Sequence, residues 1–234
     1  MKKRQRILFI TYENPFLRDN GDRIYTCNLL DSFIDLDCDV SIIGYDFENS
    51  NIANNVKMPN NISSTFLPFK KVSKLKIIFN FYPGMIVNRK RKSYLDFLLT
   101  HLKENKYDYI FVNHFKMVFA LEAILKACLK SKLIYISHNA EFLLSLNNAK
   151  NSKSIVDKLI YWQDAIKTKF YEKKWLHHFD SITTISEYDQ DYYDVNFTNL
   201  KTSIIRPVFE IDDLISKTKK NINEIIIVGS FLWG

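Results

Sequence analysis

Residues 6–45, RILFITYENPFLRDNGDRIYTCNLLDSFIDLDCDVSIIGY, decide the fold. Ile7-Leu8-Phe9-Ile10-Thr11-Tyr12 is a continuous apolar, β-branched and aromatic run, the composition of a strand covered on both faces. A polar segment, residues 13–20, leads to Gly21, after which Ile24, Leu29, Leu30, Phe33 and Ile34 recur at helical spacing to about residue 36. Residues 40–45 (VSIIGY) then read as a second strand. A strand, a helix and a strand within about forty residues match a right-handed crossover between parallel strands.

The alternation continues outward. Residues 65–69 read as a short strand, 85–104 as a helix, 107–112 as a strand, 117–129 as a helix and 132–136 as a strand. Ser154-Ile-Val-Asp157 has the form of a capping box opening a long amphipathic helix, because Ile155, Leu159, Trp162, Ile166 and Phe170 recur every three or four residues. Residues 181–185 form a predicted strand, 187–195 a short helix, 202–205 a strand ended by Pro207, and 224–228 a last strand; the Asn-rich residues 46–64 are an irregular connection. This pattern predicts an α/β fold, doubly wound, with a mostly parallel sheet and helices on both faces. Residues 1–211 are expected to form that Rossmann-like domain, 212–223 a polar linker, and 224–234 the first strand of a second domain.

The chain has 234 residues, 33 Lys and Arg against 26 Asp and Glu for a net charge of +7, and a hydrophobic content of 47%. That composition excludes a wholly disordered chain and supplies a sizeable core. No apolar run approaches the ~18–20 residues of a membrane-spanning helix, and residues 7–10 are too short for a signal-peptide core, so a cytoplasmic protein is expected. Cys27, Cys38 and Cys128 are odd in number and lack CxxC spacing, which reads as three small reduced hydrophobes rather than a disulfide framework or zinc site.

The basicity is local. Between Glu48 and Asp96 there is no acidic residue, while Lys57, Lys70, Lys71, Lys74, Lys76, Arg89, Lys90, Arg91 and Lys92 interleave with aromatic and aliphatic side chains such as Phe66, Phe69, Phe79, Phe81 and Tyr82. Such a stretch suits the inner face of an anionic membrane, with Lys70 through Lys92 as contacts and peripheral attachment as the result. Plain solvated charge over core aromatics is the alternative. Nucleic acid is not expected, since no RNP, KH or zinc-finger signature is present.

Ligands on doubly wound sheets bind beyond the carboxyl ends of the strands. After the first strand, Gly21 opens a helix whose N–H groups suit phosphate, or it is an ordinary turn residue; Arg23 is a further anion ligand or a solvated charge. Asn113-His114 and Ser137-His138-Asn139-Ala140-Glu141 end two further strands. His114 is either functional or a hydrogen-bonded structural residue, and Glu141 either orients the His138 imidazole or marks the next helix's first turn. Ser186 reads as a helix cap, and Arg206 faces either the cleft or solvent.

Taken together, ILFITYENPF with Gly21 and Arg23, DCDVSIIGY, KYDYIFVNH, KLIYISHNAEF, YEKKWLHHFDSITTISEYDQDYY, IIRPVFE and EIIIVGSFLWG resemble, in order and spacing, the N-terminal half of a GT-B glycosyltransferase of the family 4 type. The resemblance spans nearly the whole chain. It implies an enzyme that moves a sugar from a nucleotide-sugar donor to a glycan or lipid-linked acceptor with retention of configuration, without a cofactor or an essential metal. It further implies that Gly21 and Arg23 approach the donor phosphates, that His138 touches the transferred sugar with Glu141 orienting the site, and that Asn113, His114, Ser186 and Arg206 are accessory.

The sequence departs from the family pattern in having one glycine where a pair is common, and Val208 after Pro207 where Asn-Gly is frequent. The resemblance places nucleotide recognition in a C-terminal domain beyond residue 234, so this chain alone is expected to be inactive. The rival reading is a non-enzymatic Rossmann-like module that binds carbohydrate, anionic lipid or a partner protein.

Overall fold

The computed structural model describes residues 3–46, 61–128 and 130–207. Its strands are β1 (Arg6–Ile10), β2 (Asp39–Asp46), β3 (Ile62–Pro68), β4 (Tyr109–Asn113), β5 (Lys132–Ile136), β6 (Ser181–Thr184) and β7 (Lys201–Ile204). They form one seven-stranded sheet in the order β3-β2-β1-β4-β5-β6-β7, and every pairing is parallel. The described helices are α1 (Gly21–Asp35), α2 (Lys74–Ile78), α3 (Gly84–Arg89), α4 (Lys92–Glu104), α5 (Leu121–Lys126), α6 (Glu141–Asn151), α7 (Ile155–Trp175) and α8 (Glu187–Asn196).

Alternation along β1 explains why its sequence reads as one apolar block. Leu8 and Ile10 enter a core shared with Ile43, Ile110, Val112 and Tyr135, while Ile7 and Phe9 enter a second core with Val40, Ile42 and, from α1, Tyr25 and Leu30. Each fully buried side chain of this kind contributes about 1.5–3 kcal/mol. A strand covered on both faces is therefore the anchor of both layers. From β1 the chain winds outward through β2 and β3, then restarts on the other side at β4, so the reversal of winding lies between β1 and β4. In such sheets that is where ligands bind.

The wound α/β architecture agrees with the pattern in the sequence, and several elements differ in detail. The single helix expected over 85–104 is two, α3 and α4, with an extended break at Lys90 and Arg91. Arg91 stabilises the break by donating to the carbonyls of Val87, Asn88 and Lys90, which the end of α3 leaves open, and to that of Lys70 after β3. The helix expected over 117–129 is a 3-10 run, Phe115–Ala120, followed by the short α5. α6 had no counterpart in the apolar pattern, because its inward residues Glu141, Ser145 and Ala149 are polar or small.

Ser154 caps α7 as expected, its side chain accepting from the Asp157 N–H at 3.3 Å. The apolar stripe of α7, however, faces outward. Ala165, Thr168, Tyr171 and Glu172 are buried, while Ile155, Leu159, Trp162, Ile166 and Phe170 are exposed. Cys27 and Cys38 are buried and Cys128 is exposed; all three are free. The expected linker over 212–223, the last strand over 224–228 and Lys57 lie outside the described residues. No helix among the described residues is long and apolar enough to cross a membrane.

β2 approaches β1 closely at Gly44. A Cβ there would lie 3.0 Å from both the Thr11 methyl carbon and the Thr11 carbonyl oxygen and 3.1 Å from the Phe66 ring, whereas one at Gly21 would meet open space. Gly44→Ala should therefore destabilise the chain by about 1–3 kcal/mol in urea unfolding, since the neighbour that must give is backbone. Gly21→Ala should leave the midpoint unchanged or slightly raised.

Candidate functional site

Three segments converge at the carboxyl ends of β1, β4 and β5: Tyr12 and Glu13 follow β1, Asn113 ends β4 with His114 next, and His138 follows β5. The first turn of α1 brings Asp22, and its second turn Tyr25, to the same place. Asn20 starts that helix, its side chain accepting from the Arg23 N–H at 2.9 Å.

Asn113 is the buried centre. Its Nδ2 donates to Thr26 Oγ1 at 3.0 Å and to Thr11 Oγ1 at 3.4 Å, which leaves Oδ1 to accept from His138 Nε2 at 2.9 Å. The other imidazole nitrogen, Nδ1, lies 3.5 Å from Asp22 Oδ1. Asp22 also accepts from the Tyr12 hydroxyl at 3.2 Å. The contact with His138 holds the Asp22 carboxyl below its ordinary range against the effect of burial, with help from Lys116 and Tyr12. Tyr25 packs edge-on against His138, with ring centroids 5.1 Å apart.

His114 stacks on His138 with centroids 3.5 Å apart and planes 17° from parallel. Its backbone, at φ 71° and ψ 144°, occupies a region that favours glycine, a strain of order 1–3 kcal/mol held by the surrounding packing. Burial first, then His138, Lys116 and Arg89, push His114 well below its ordinary pKa, so its ring is neutral. Its Nε2 is buried without a hydrogen-bond partner. Below the pair, Lys116 Nζ sits 4.1 Å from the Tyr12 ring centroid and the Arg89 guanidinium 5.4 Å from it. Both cations are shifted down by burial. A helix N-terminus, two cations and a neutral imidazole make a site that suits a polyhydroxyl or anionic ligand.

Asp22, His114 and His138 also present donor atoms within 4.8 Å of one another, the spacing of a metal site. The ring geometry does not fit one. An ion in the plane of one imidazole would lie out of the plane of the other, stacked at 3.5 Å, and Lys116 and Arg89 oppose a further cation.

Glu141 is the first residue of α6 and is buried, and among the described residues no hydrogen bond joins it to His138. Asn113 and Asp22 orient the imidazole instead, which corrects that alternative for Glu141. Burial raises Glu141 to about 7 against the pull of Lys116, with Asp22, Asp189 and Asp164 adding. Behind it, Glu172 is raised to about 8 by burial, though it accepts from the Tyr192 hydroxyl at 2.5 Å and the Phe142 N–H at 3.3 Å.

Arg23 is not a solvated charge. It is buried, with Glu13 at 2.9 Å and Asp19 at 2.7 Å. Ser186 caps α8, accepting from the Asp189 N–H at 3.2 Å. Arg206 is exposed and pairs with Glu187.

The basic stretch divides. Arg89 turns inward to Tyr12 and Phe69, Lys90 pairs with Glu122, and Arg91 caps α3, so these three are not free membrane contacts. Lys70, Lys71, Lys76 and Lys92 are exposed. Of Lys74, only its place at the start of α2 is described.

No protein-family model and no curated protein sequence matches the chain. Solved structures do. UGT89C1 of Arabidopsis thaliana, crystallised with UDP-L-rhamnose, aligns with 91% of this chain and 51% of its own at 14% identity and a TM-score of 0.52. UGT2 of Phytolacca americana, solved with UDP-2-fluoro-glucose and pterostilbene, aligns over 92% and 57% at 8% identity and 0.53. A UDP-glucosyltransferase from Polygonum tinctorium that glucosylates indoxyl aligns over 89% and 54% at 9% identity and 0.52. The fold is that of a GT-B glycosyltransferase domain. This GT-B-like domain spans about half the length of those structures, and at these identities the likeness is one of fold.

Asp22, Tyr12, Lys116 and Arg89 are the site members that the sequence reading did not single out for this place. For Asp22 and Tyr12 a signal existed, since one follows Gly21 and the other closes the first strand.

Glu141 makes stability depend on pH. A carboxyl at about 7 when folded and near 4.5 when unfolded keeps its proton on folding, so stability falls as pH rises from about 4.5 to about 7. Glu141→Gln removes that slope. Thermal unfolding across this range should show the variant gaining on the native chain by up to roughly 3 kcal/mol at the alkaline end.

Proposed function

We propose that this chain is the acceptor-side half of a glycosyltransferase of the family 4 type, moving a sugar from a nucleoside-diphosphate donor to a hydroxyl of a polysaccharide or lipid-linked acceptor with retention of configuration. The observation that carries the reading is the meeting of Gly21, the α1 N-terminus and His138 over the point where the sheet reverses its winding, through the Asp22–His138 contact at 3.5 Å.

The chemistry follows from charge. As the bond between the anomeric carbon and the diphosphate breaks, negative charge grows on the leaving phosphate, and N–H groups and cations aimed at it lower the barrier. The first turn of α1 supplies such N–H groups, and Gly21 lets phosphate come close, because no side chain fills the open space beside it. Neither its packing nor its φ requires glycine at that position. Arg89 and Lys116 add positive potential from beneath.

His138 Nε2 is committed to Asn113 Oδ1, so the nitrogen left toward the open side is Nδ1, 3.5 Å from Asp22, and a sugar hydroxyl reaches the ring along that edge. Arg23, held by Glu13 and Asp19, positions the loop before α1 instead of binding phosphate itself. The nucleotide is recognised by a second domain.

The test is release of nucleoside diphosphate from a panel of nucleotide sugars, measured on this chain and on the complete product of its gene. The complete product should turn over at least one donor. His138→Ala should lower that turnover about tenfold or more, and Gly21→Val should raise the donor KM with the unfolding midpoint unchanged. Titration of the 234-residue chain with nucleoside diphosphates should give little heat. Turnover unaffected by His138→Ala would remove that residue from the mechanism, and a complete product inert toward every donor would favour the carbohydrate-binding module.

A further inference from the structure

The amino ends of β1, β4 and β5 lie side by side at the edge of the sheet opposite Asp22 and His138, and the segments that enter these strands are tied together. The Arg6 N–H donates to Asp108 Oδ2 at 2.8 Å, the Asp108 N–H to the Arg6 carbonyl at 2.8 Å, the Lys132 N–H to the Asp108 carbonyl at 2.9 Å, and Ser131 Oγ to the Tyr107 carbonyl at 2.7 Å. These same residues line a groove of about 950 Å³, which Leu102 and Lys103 at the end of α4 and Cys128 beyond α5 also border.

The charge of the groove is one-sided. Seven Lys and Arg side chains line it against one carboxylate, Asp108, which already accepts from the Arg6 N–H. Arg4 is held by Asp37 and Lys132 by Asp180, each at 2.7 Å, and the Arg6 guanidinium lies over the Tyr107 ring at 5.4 Å. Lys3, Lys103, Lys106 and Lys130 are exposed, and among the described residues their ammonium groups have no ion pair or hydrogen bond. They come from three separate stretches of chain, so the fold, rather than a local run of lysines, gathers them around one concavity. A cleft lined by one sign of charge focuses the field and concentrates a counter-ion of the other sign.

We infer that this groove binds a linear polyphosphate, its linked phosphates lying against the four unpaired lysines. Ammonium groups act on phosphate as point charges and need no fixed fork geometry. Several cations around one small concavity call for many negative charges in little volume, which a chain charged at every phosphate has and a uronic acid polymer, with one carboxylate per sugar ring, has less of. None of the large hydrophobic side chains exposed among the described residues lines the groove, so nothing there enters a bilayer. Of its two aromatic residues, Tyr107 is buried with Arg6 over its ring and Tyr109 is half-buried, which leaves no open ring for a nucleic-acid base. A nucleoside diphosphate, with two phosphates, meets too few of the lysines to bind appreciably. The inference does not depend on sugar transfer at the other edge of the sheet.

Cys128 supplies the test, because it lines the groove and is exposed while Cys27 and Cys38 are buried. Medium-chain polyphosphate should slow the alkylation of Cys128 in the whole chain by iodoacetamide about tenfold or more, and titration calorimetry should show binding that weakens as salt is raised. Lys103→Ala/Lys106→Ala/Lys130→Ala should weaken that binding about tenfold or more and remove the protection. Because these positions are exposed, the unfolding midpoint should not move. Lys70→Ala/Lys71→Ala/Lys76→Ala, in the basic groove on the outer side that Lys90 and Arg91 also line, should bind polyphosphate as the native chain does. No binding, binding that leaves Cys128 unprotected, or binding that survives substitution of Lys103, Lys106 and Lys130 would overturn the inference. So would equal affinity for polygalacturonate or for a single-stranded oligonucleotide of the same charge, since the groove would then take any polyanion.

Discussion

The side-chain amide of Asn113 is the constraint on which the site depends. It is buried where β1, β4, β5 and α1 come together, and a buried amide without partners is costly, so its donors and its acceptor must all be met. Thr11 holds it from the first strand, Thr26 from the first helix, and His138 from the loop after β5. Because Nδ2 is committed to the two threonines, Oδ1 has to face the imidazole, and that choice makes His138 a donor at Nε2. The ring is then free to turn only about a bond already fixed at one edge, and its other nitrogen reaches Asp22. One amide thereby sets the position and the hydrogen-bonding role of the histidine at the point where the sheet reverses.

Electrostatics extends this from geometry to chemistry. His114 stacks on His138 as a neutral ring, because a charge on it would be buried beside Lys116 and Arg89. Burial keeps it neutral, and the unusual backbone at His114 is the strain that holds it there. Asp22 is left as the carboxylate on the open side, kept ionised by its contact with His138. Behind this layer, Glu141 and Glu172 are buried carboxyls shifted the other way. The site therefore separates an ionised acid near solvent from interior carboxyls in which burial favours the protonated form.

The fold was legible because β1 is buried on both faces and its sequence could not disguise that. β2, β4 and β5 were legible for the same reason, and the cap at Ser154 marked the start of α7 correctly. What escaped was decided by contacts between segments distant in sequence. α6 turns Glu141, Ser145 and Ala149 inward, so apolar periodicity had nothing to register. α7 has periodicity in plenty, but the stripe it traces is on the solvent side, since the small Ala165 and Thr168 allow the closer approach and the polar Glu172 is satisfied by Tyr192 and Phe142. Arg89 looked like one of a run of surface cations, and only the fold shows that it alone turns to Tyr12 while Lys90 and Arg91 turn away. Gly21 and His138 were each marked as strand-end features, whereas Asp22, the α1 carboxylate 3.5 Å from His138, was not distinguished from an ordinary first-turn acid.

The division at α3 also ties the site to the surface beside it. Arg89, the last residue of that helix, reaches inward to the ring of Tyr12, and Tyr12 donates to Asp22. The next two residues, Lys90 and Arg91, line the basic groove on the outer side. Of three consecutive cations the first thus belongs to the site and the next two to the outer groove, and the extended break between α3 and α4 is what sends them in different directions. Arg91 is spent on carbonyl oxygens of the helix end, so the break is held by the residue that sits at the edge of the groove. The guanidinium two residues earlier, that of Arg89, is seated against Tyr12. The position of Arg89 against Tyr12, and through Tyr12 against Asp22, is therefore set by a pinned helix end.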